Sequence, residues 1–274
     1  MIAMDRIAFS YPRREIFNDF SLDIRAGEAT LITGVNGEGK TTLLRLMAGI
    51  LLPQRGTIVY DRALGPEPRA KIALISDQMN LYEDMSLAEA IRFHTTTCGI
   101  QAFDSPLLRK AGLTGTQKIR RLSKGQKLIF HLALLLASQP QVLLIDEVIH
   151  SMDVVLRELF LDTLLDMIQD RRVSLVMVNL NYHEIETIIE RVVLIQNGRV
   201  AVDEGLDALK DGAKRVDCRE KIPGDGVIHA TRLGDHYEHI VYPYRPGWEG
   251  DRQITVHSLN LHEIVRAFMG GFYA

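Results

Sequence analysis

The sequence predicts an α/β fold with a mostly parallel sheet, and three observations support this class. Short apolar runs rich in β-branched residues recur along the chain at 29–32, 72–75, 142–145, 174–178 and 192–195. Helical patterns separate most of these runs, which is the alternation expected of parallel strands joined by crossover helices. The length of 274 residues and the hydrophobic share of 46% provide enough apolar side chains for a buried core.

The segments between and beside these runs follow three other patterns. Residues 6–24 alternate short strands with turns, which predicts a small antiparallel β flank beside the parallel sheet. Residues 79–136 are mostly helical in pattern and interrupt the strand alternation, so we expect an inserted helical subdomain there. Asn197 and Gly198 separate two β-type runs, and this pair favours a hairpin because both positions of a type I′ turn need a positive φ.

The composition changes after Asp211, where histidines and Gly-Pro turns become frequent. A helical pattern at residues 258–268 follows near the end of the chain. We therefore expect two units. Residues 1–210 form the first domain, which contains the helical subdomain, and residues 211–274 form a small C-terminal α+β extension.

Charge and cysteine content exclude several classes of protein. The formal net charge of −3 provides no basic surface field, so no nucleic-acid partner is expected. The two cysteines, Cys98 and Cys218, cannot form a disulfide framework and fit no zinc spacing, which favours a reducing, intracellular compartment. No apolar run approaches the roughly 18 residues that a membrane-spanning helix needs.

Residues 34–41 match the pattern G-x-x-x-x-G-K-[ST] completely, and they lie between a predicted strand and a helical pattern. Glycines let the backbone wrap around phosphates, so that its N–H groups point inward beside the positive end of the helix. Lys40 is expected to reach the β- and γ-phosphates, and the Thr41 hydroxyl to bind Mg²⁺. The motif predicts a P-loop NTPase core. Its candidate nucleotide-binding residues are Gly34, Val35, Asn36, Gly37, Glu38, Gly39, Lys40, Thr41 and Thr42.

The second candidate site is acidic. The apolar run at 142–145 is followed directly by Asp146 and Glu147. Ligands of open α/β sheets bind beyond the carboxyl ends of the strands, so both acids are expected to lie beside the phosphate loop. Asp146 suits a metal contact, and Glu147 suits polarisation of an attacking water as the catalytic base. Alone, such a pair is most often a solvated loop; the upstream phosphate loop favours the catalytic interpretation.

Residues 122–126 read Leu-Ser-Lys-Gly-Gln and end 20 positions before Asp146. One interpretation is local, because Ser123 and Gln126 form a capping box in front of a helical pattern. The other is that the same capped helix N-terminus holds a γ-phosphate. With both phosphate-site motifs at this order and spacing, the chain resembles the ATP-binding subunits of ABC (ATP-binding cassette) transporters over about residues 1–210.

The resemblance implies ATP and Mg²⁺ as ligands and gives roles to further residues. Tyr11 corresponds to the family's aromatic residue that stacks on adenine, and Gln78 to its glutamine that contacts Mg²⁺. Asp153 ends a segment similar to the family's D-loop. Four residues match the family's signature, which contacts the ATP of a second cassette: Ser123, Lys124, Gly125 and Gln126.

The resemblance also implies partners, location and direction of transport. Two cassettes, identical or paralogous, face each other with ATP between them, and hydrolysis drives a separate membrane-spanning subunit. The chain is therefore expected in the cytoplasm, peripheral to the membrane through that subunit, with its coupling surface near residues 78–84. Residues 258–271 are similar to the tails of single-cassette exporter ATPases, which favours export.

The chain departs from the family pattern where the family has a switch histidine. That position falls on Leu180, whose side chain cannot hydrogen-bond the γ-phosphate. A slip of one residue would let Asn179 or Asn181 serve instead. ATP binding is unaffected by this departure, whereas the rate of hydrolysis is open. Two alternatives therefore stand beside the transport motor: a nucleotide-gated, hydrolysis-poor subunit of an asymmetric complex, and a non-transport ABC ATPase.

Overall fold

The computed structural model describes residues 1–76, 82–169, 173–179, 182–222, 226–245 and 254–270. The strands in this part of the chain are β1 (Ile2–Tyr11), β2 (Arg14–Ile24), β3 (Ala29–Thr33), β4 (Arg55–Tyr60), β5 (Ile72–Ser76), β6 (Val142–Asp146), β7 (Ser174–Val178), β8 (Arg191–Gln196), β9 (Arg199–Gly205), β10 (Lys214–Cys218), β11 (Val227–Leu233), β12 (His236–Val241) and β13 (Thr255–Ser258). The α-helices are α1 (Lys40–Met47), α2 (Leu87–Cys98), α3 (Pro106–Lys110), α4 (Lys124–Ala137), α5 (Val154–Gln169), α6 (Leu206–Gly212) and α7 (Leu261–Phe268). None of these described helices is long and apolar enough to cross a lipid bilayer.

A six-stranded sheet in the order β5-β6-β7-β3-β8-β9 forms the centre of the fold. The first five strands in that order are parallel, and β9 pairs with β8 as the antiparallel arm of a hairpin. Asn197 and Gly198 between them have φ angles of 53° and 67°, as the predicted type I′ turn requires. The predicted α/β class with a mostly parallel sheet is confirmed.

The central strands bury apolar side chains on both faces, which is typical of a parallel sheet covered on both sides. Leu31 and Leu143 belong to one core, which they share with α4, α5 and α7. Their neighbours Ile32 and Leu144 belong to a second core, shared with α1 and the flanking strands. The sheet therefore forms a rigid platform, and the loops after β3 and β6 leave it at the same edge.

An antiparallel sheet in the order β2-β1-β4 provides the flank. Phe17 and Phe20 of β2 lie with ring centroids 4.6 Å apart, in the core that also contains Leu43 and Leu44 of α1. Strands β1 and β2 occupy the region predicted to be antiparallel. The third strand, β4, is not evident from the sequence because its side chains are mostly exposed and show no apolar alternation.

Helices α2, α3 and α4 lie between β5 and β6 in the chain, in the region predicted to be mostly helical. A capping box starts α2, because Ser86 and Glu89 each accept a hydrogen bond from the other's backbone amide. Helix α4 buries Leu128 and Leu132 in the core below the central sheet. These helices are thereby joined to the sheet that carries the phosphate loop.

The C-terminal strands form an antiparallel sheet in the order β11-β12-β10-β13, followed by α7. This sheet has a small core of its own that includes Val216 and Val241. Helix α7 instead buries Leu261 and Ile264 in the larger core, which also contains Ile185 from the segment before β8. An apolar interface therefore packs the end of the chain onto the preceding region.

Candidate functional site

The phosphate-loop motif forms the turn between β3 and α1, at the carboxyl end of the central sheet. Gly34 has a φ of 151°, and a Cβ atom on it would lie 2.4 Å from the Ile195 carbonyl oxygen. Gly39 has a φ of 90°, and a Cβ atom there would lie 2.3 Å from the Ile16 side chain. Backbone strain and lack of space both exclude a side chain at these two positions. The loop backbone is therefore free to approach a phosphate closely.

Lys40 is held inside this loop and is only 5% exposed. Its Nζ donates to the carbonyl oxygens of Gly34 at 2.8 Å and Val35 at 3.1 Å. Burial lowers the pKa of Lys40, and the nearby carboxylates of Glu147 and Asp146 act in the opposite direction. The ammonium is thus placed at the centre of the loop beside two carboxylates, where it can bind an incoming phosphate.

Two side-chain contacts fix the loop from outside. The Arg14 guanidinium donates to the Gly37 carbonyl oxygen at 2.7 Å. The Gly198 amide, in the β8–β9 turn, donates to the Glu38 carboxylate at 3.1 Å. The Glu38 side chain is occupied by this contact, so we expect the Glu38 backbone amide to make the predicted contact with the nucleotide. The Arg14 contact is not evident from the sequence, since nothing in the motif points to β2.

The acidic pair Asp146 and Glu147 lies at the end of β6 and faces the same loop. The Thr41 hydroxyl of α1 donates to Asp146 Oδ1 at 3.1 Å. Glu147 has a φ of 51°, which is uncommon outside glycine, and its amide donates to the Val178 carbonyl oxygen at 2.9 Å. A hydroxyl and a carboxylate oxygen at this separation form the hard oxygen donor set that Mg²⁺ prefers.

A cavity of about 380 Å³ joins the loop, Glu147 and Tyr11. Eight of the predicted site residues line it: Tyr11, Asn36, Gly37, Gly39, Lys40, Thr41, Thr42 and Glu147. The Tyr11 ring is 39% exposed and packs edge-on against Phe9 at 5.1 Å between centroids. Its hydroxyl lies 3.4 Å from the Thr42 hydroxyl. A planar base could therefore stack on Tyr11 while its phosphates reach the loop.

Substitution of Tyr11 by alanine is expected to weaken ATP binding about tenfold, because stacking of a base on an aromatic ring is worth about 1–3 kcal/mol. Tyr11→Phe keeps the ring and is expected to retain affinity within about twofold of the wild type. Titration with ATP in the presence of EDTA, which prevents turnover, measures both. An equal loss in Tyr11→Phe would assign the effect to the hydroxyl contact with Thr42 instead.

The four signature residues begin α4 and do not line this cavity. Ser123 Oγ accepts from the Gln126 amide at 3.1 Å, and Gln126 Oε1 accepts from the Ser123 amide at 3.0 Å. The predicted capping box is therefore confirmed. Ser123 and Lys124 are exposed, while Gly125 is buried. A Cβ atom on Gly125 would lie 3.4 Å from the Met152 Cα atom, so this turn packs directly on the segment before Asp153.

Asp153 caps α5, since its Oδ1 accepts from the Leu156 amide at 3.0 Å. The two residues that follow, Val154 and Val155, are 64% and 72% exposed. Adjacent exposed valines beside a capped turn form an apolar surface next to the signature residues.

Gln78 and Leu180 lie outside the described residues, so their roles stay predictions. Tyr182, just after Leu180, is described and is buried at 4% exposure. Its hydroxyl lies 2.6 Å from the hydroxyl of Thr33, the residue before Gly34. The sequence contains no signal for this contact, because the two residues are 149 positions apart.

Comparison with protein families and curated proteins identifies related chains. The family model described as "ABC transporter" matches residues 17–150. The energy-coupling factor transporter ATP-binding protein EcfA1 of Leuconostoc mesenteroides subsp. mesenteroides is 31% identical over 216 residues, which cover 74% of this chain and 79% of that protein. The methionine import ATP-binding protein MetN 2 of Listeria monocytogenes serotype 4b is 28% identical over 239 residues, covering 80% of this chain and 70% of that protein.

Comparison with solved structures supports the fold. A structure described as the ATP-binding subunit of an ABC transporter aligns with a TM-score of 0.67 at 24% identity. The alignment covers 77% of this chain and 92% of that one. At this identity the likeness is one of architecture.

Proposed function

Since the chain belongs to the ATP-binding subunits of ABC transporters, we propose that it binds and hydrolyses ATP to drive transport through a separate membrane-spanning subunit. The observation that carries this proposal is the bond from the Thr41 hydroxyl to Asp146 Oδ1 at 3.1 Å. It joins the phosphate loop to the acidic end of β6, and Glu147 lines the same cavity as Lys40. Nucleotide binding and water activation thereby have their residues in one place.

Each residue of the site has a separate task in this proposal. Lys40 and the loop amides bind the β- and γ-phosphates. Thr41 and Asp146 hold Mg²⁺, which when bound neutralises charge on the β- and γ-phosphate oxygens. Glu147 orients the attacking water and accepts its proton. Tyr11 stacks on the adenine and sets its distance from the loop.

Two cassettes are proposed to close on ATP, with the signature of one against the loop of the other. Three features support this arrangement. The signature residues lie apart from their own cavity. Ser123 and Lys124 are exposed at the start of α4, where backbone amides face outward. Val154 and Val155 supply exposed apolar area beside them, which a partner surface would cover.

The proposed cassette comprises residues 1–210 with its helical subdomain at about 79–136, and residues 211–274 form the extension. Its proposed location is the cytoplasmic face of the membrane, through its membrane subunit. The C-terminal segment favours export, but neither EcfA1 nor MetN 2 is named as an export protein. Because MetN 2 is named as an import protein and its match spans 80% of this chain, we propose uptake instead.

The proposed contact with the membrane subunit is an aromatic pair on the helical subdomain. Tyr82 and Phe93 are 60% and 48% exposed, and their rings meet edge-to-face at 5.4 Å between centroids. Large exposed aromatics of this kind are typical of interface anchors. Tyr82 also lies within the segment 78–84 that the sequence predicts for coupling.

Phe93→Asp is expected to leave the ATPase rate of the isolated chain within about twofold of the wild type and to abolish its co-purification with the membrane subunit, because a charge would replace the anchor ring. Val59→Asp is the matched control, since Val59 is 58% exposed on the antiparallel flank. Equal retention of the membrane subunit by both variants would place the contact elsewhere.

Phosphate release by the purified chain with ATP and Mg²⁺ tests the proposed function directly. Turnover that rises when the membrane subunit is present in vesicles is the expected result. Binding of ATP without turnover would favour the alternative that Leu180 suggests, a nucleotide-gated subunit that hydrolyses poorly.

A further inference from the structure

Tyr182 connects the chain after β7 with the end of β3, directly before the phosphate loop. It follows β7 and the position that corresponds to the family's switch histidine. Its hydroxyl lies 2.6 Å from that of Thr33, with both residues buried at 4% and 0% exposure. Thr33 is the last residue of β3, and the next carbonyl along the chain, that of Gly34, accepts from Lys40 Nζ at 2.8 Å. A buried hydrogen bond thus ties Tyr182 to the residue before the phosphate loop.

The ring of Tyr182 is also covered by the C-terminal extension. The His262 ring of α7 lies 5.9 Å from the Tyr182 ring and is stacked on that of His183 at 6.2 Å, measured between centroids. Helix α7 is itself anchored in the core by Leu261 and Ile264. Tyr182 is therefore held at its hydroxyl by β3 and at its ring by α7.

We propose that Tyr182 is a positioning residue for ATP hydrolysis, which holds the end of β3, and with it the start of the phosphate loop, in place through Thr33 and is supported by His262 of α7. The inference rests on the proposed ATPase function. It assigns to this chain a positioning contact two residues after Leu180, the position that the sequence predicts for the switch. It also gives the C-terminal extension a part in the chemistry. Because Tyr182 does not line the nucleotide cavity, its loss is expected to change KM for ATP little.

Tyr182→Phe removes the hydroxyl and keeps the ring. We expect kcat for ATP hydrolysis to fall about tenfold while KM for ATP stays within about twofold, since small displacements of a catalytic segment reduce the rate more than they reduce binding. Thr33→Val is expected to have the same effect. The double variant is expected to be no slower than either single variant, because both remove one hydrogen bond. His262→Ala is expected to lower kcat about threefold.

Tyr60→Phe is the matched control. The Tyr60 hydroxyl also donates a partly buried hydrogen bond, to the Met47 carbonyl oxygen at 3.0 Å. Met47 ends α1, at the opposite end of the helix from the phosphate loop. It should lower the melting temperature about as much as Tyr182→Phe does and leave kcat unchanged. Equal kcat in Tyr182→Phe and the wild type would overturn the proposal. Additive losses in the double variant would overturn the role of the Thr33 bond, and an unchanged kcat in His262→Ala the role of α7. A wild-type chain that does not hydrolyse ATP would overturn the proposed function, and this inference with it.

Discussion

Replacement of Glu147 by glutamine is expected to reduce ATP hydrolysis at least about 100-fold, since a positioned general base contributes about 10²–10⁴ in rate. The amide has nearly the same shape as the carboxylate but cannot take up the proton of the attacking water. Binding is expected to survive, because the groups proposed to hold the phosphates are Lys40 and the loop amides. The Kd for ATP, measured with EDTA present, is expected within about twofold of the wild type.

The position of Glu147 in the structure supports this strong effect. Its φ of 51° places it in the left-handed region, and its amide is bound to the Val178 carbonyl oxygen on β7. A strained backbone that neighbouring strands hold in place is typical of a functional residue. The side chain lines the cavity that Lys40 and Thr41 also line, so it lies beside the proposed phosphate site.

The same variant tests dimer formation. If hydrolysis separates two cassettes, Glu147→Gln should accumulate as an ATP-bound dimer in size-exclusion chromatography with ATP and Mg²⁺. Glu67→Gln is the control, because Glu67 is exposed and lies outside the cavity lining. Strictly monomeric elution of Glu147→Gln, with or without the membrane subunit, would count against the two-cassette arrangement. A rate within threefold of the wild type would show that another group activates the water.

The parts of the site that follow from sequence are those that a continuous motif or the strand-end rule places. The phosphate loop is one unbroken segment between a strand and a helix, and the positive φ of Gly34, Gly37 and Gly39 is a local requirement that the motif itself carries. Asp146 and Glu147 follow from the rule that strand ends of a parallel sheet meet at one edge. The Arg14–Gly37 and Tyr182–Thr33 contacts join residues 23 and 149 positions apart, so they depend on strand order and register that no local pattern encodes.

For the signature residues 123–126, the capping-box interpretation and the phosphate-binding interpretation are compatible. Ser123 and Gln126 form the capping box, and this accounts for the start of α4 by itself. The same turn leaves Ser123 and Lys124 exposed, with Gly125 packed on Met152. Local physics therefore builds the surface that a second cassette would use. The second cassette is a separate chain, so the local pattern of residues 123–126 does not predict how it docks.

Replacement of Lys40 by alanine is expected to raise the Kd for ATP by about 10- to 150-fold, since a charge-assisted hydrogen bond is worth about 1.5–3 kcal/mol. Lys40 is a side-chain cation that the loop encloses, only 5% exposed, and it is the group proposed to neutralise the charge of the phosphates. The loss should therefore be larger for ATP than for adenosine, which carries no phosphate. Titration calorimetry with both ligands, with EDTA present, measures the difference.

Loss of fold is the competing explanation, because Lys40 donates to the carbonyl oxygens of Gly34 and Val35 from inside the loop. Lys40→Met keeps the apolar stem in place and removes the charge, so it should match the alanine variant in ATP affinity and exceed it in melting temperature. Lys110→Ala, at an exposed position on α3, controls for the change in net charge. An affinity for ATP within twofold of the wild type in Lys40→Met would show that the loop amides bind the phosphates without the lysine. A selective loss for ATP over adenosine in a folded Lys40→Met would identify the ammonium as the group that binds them.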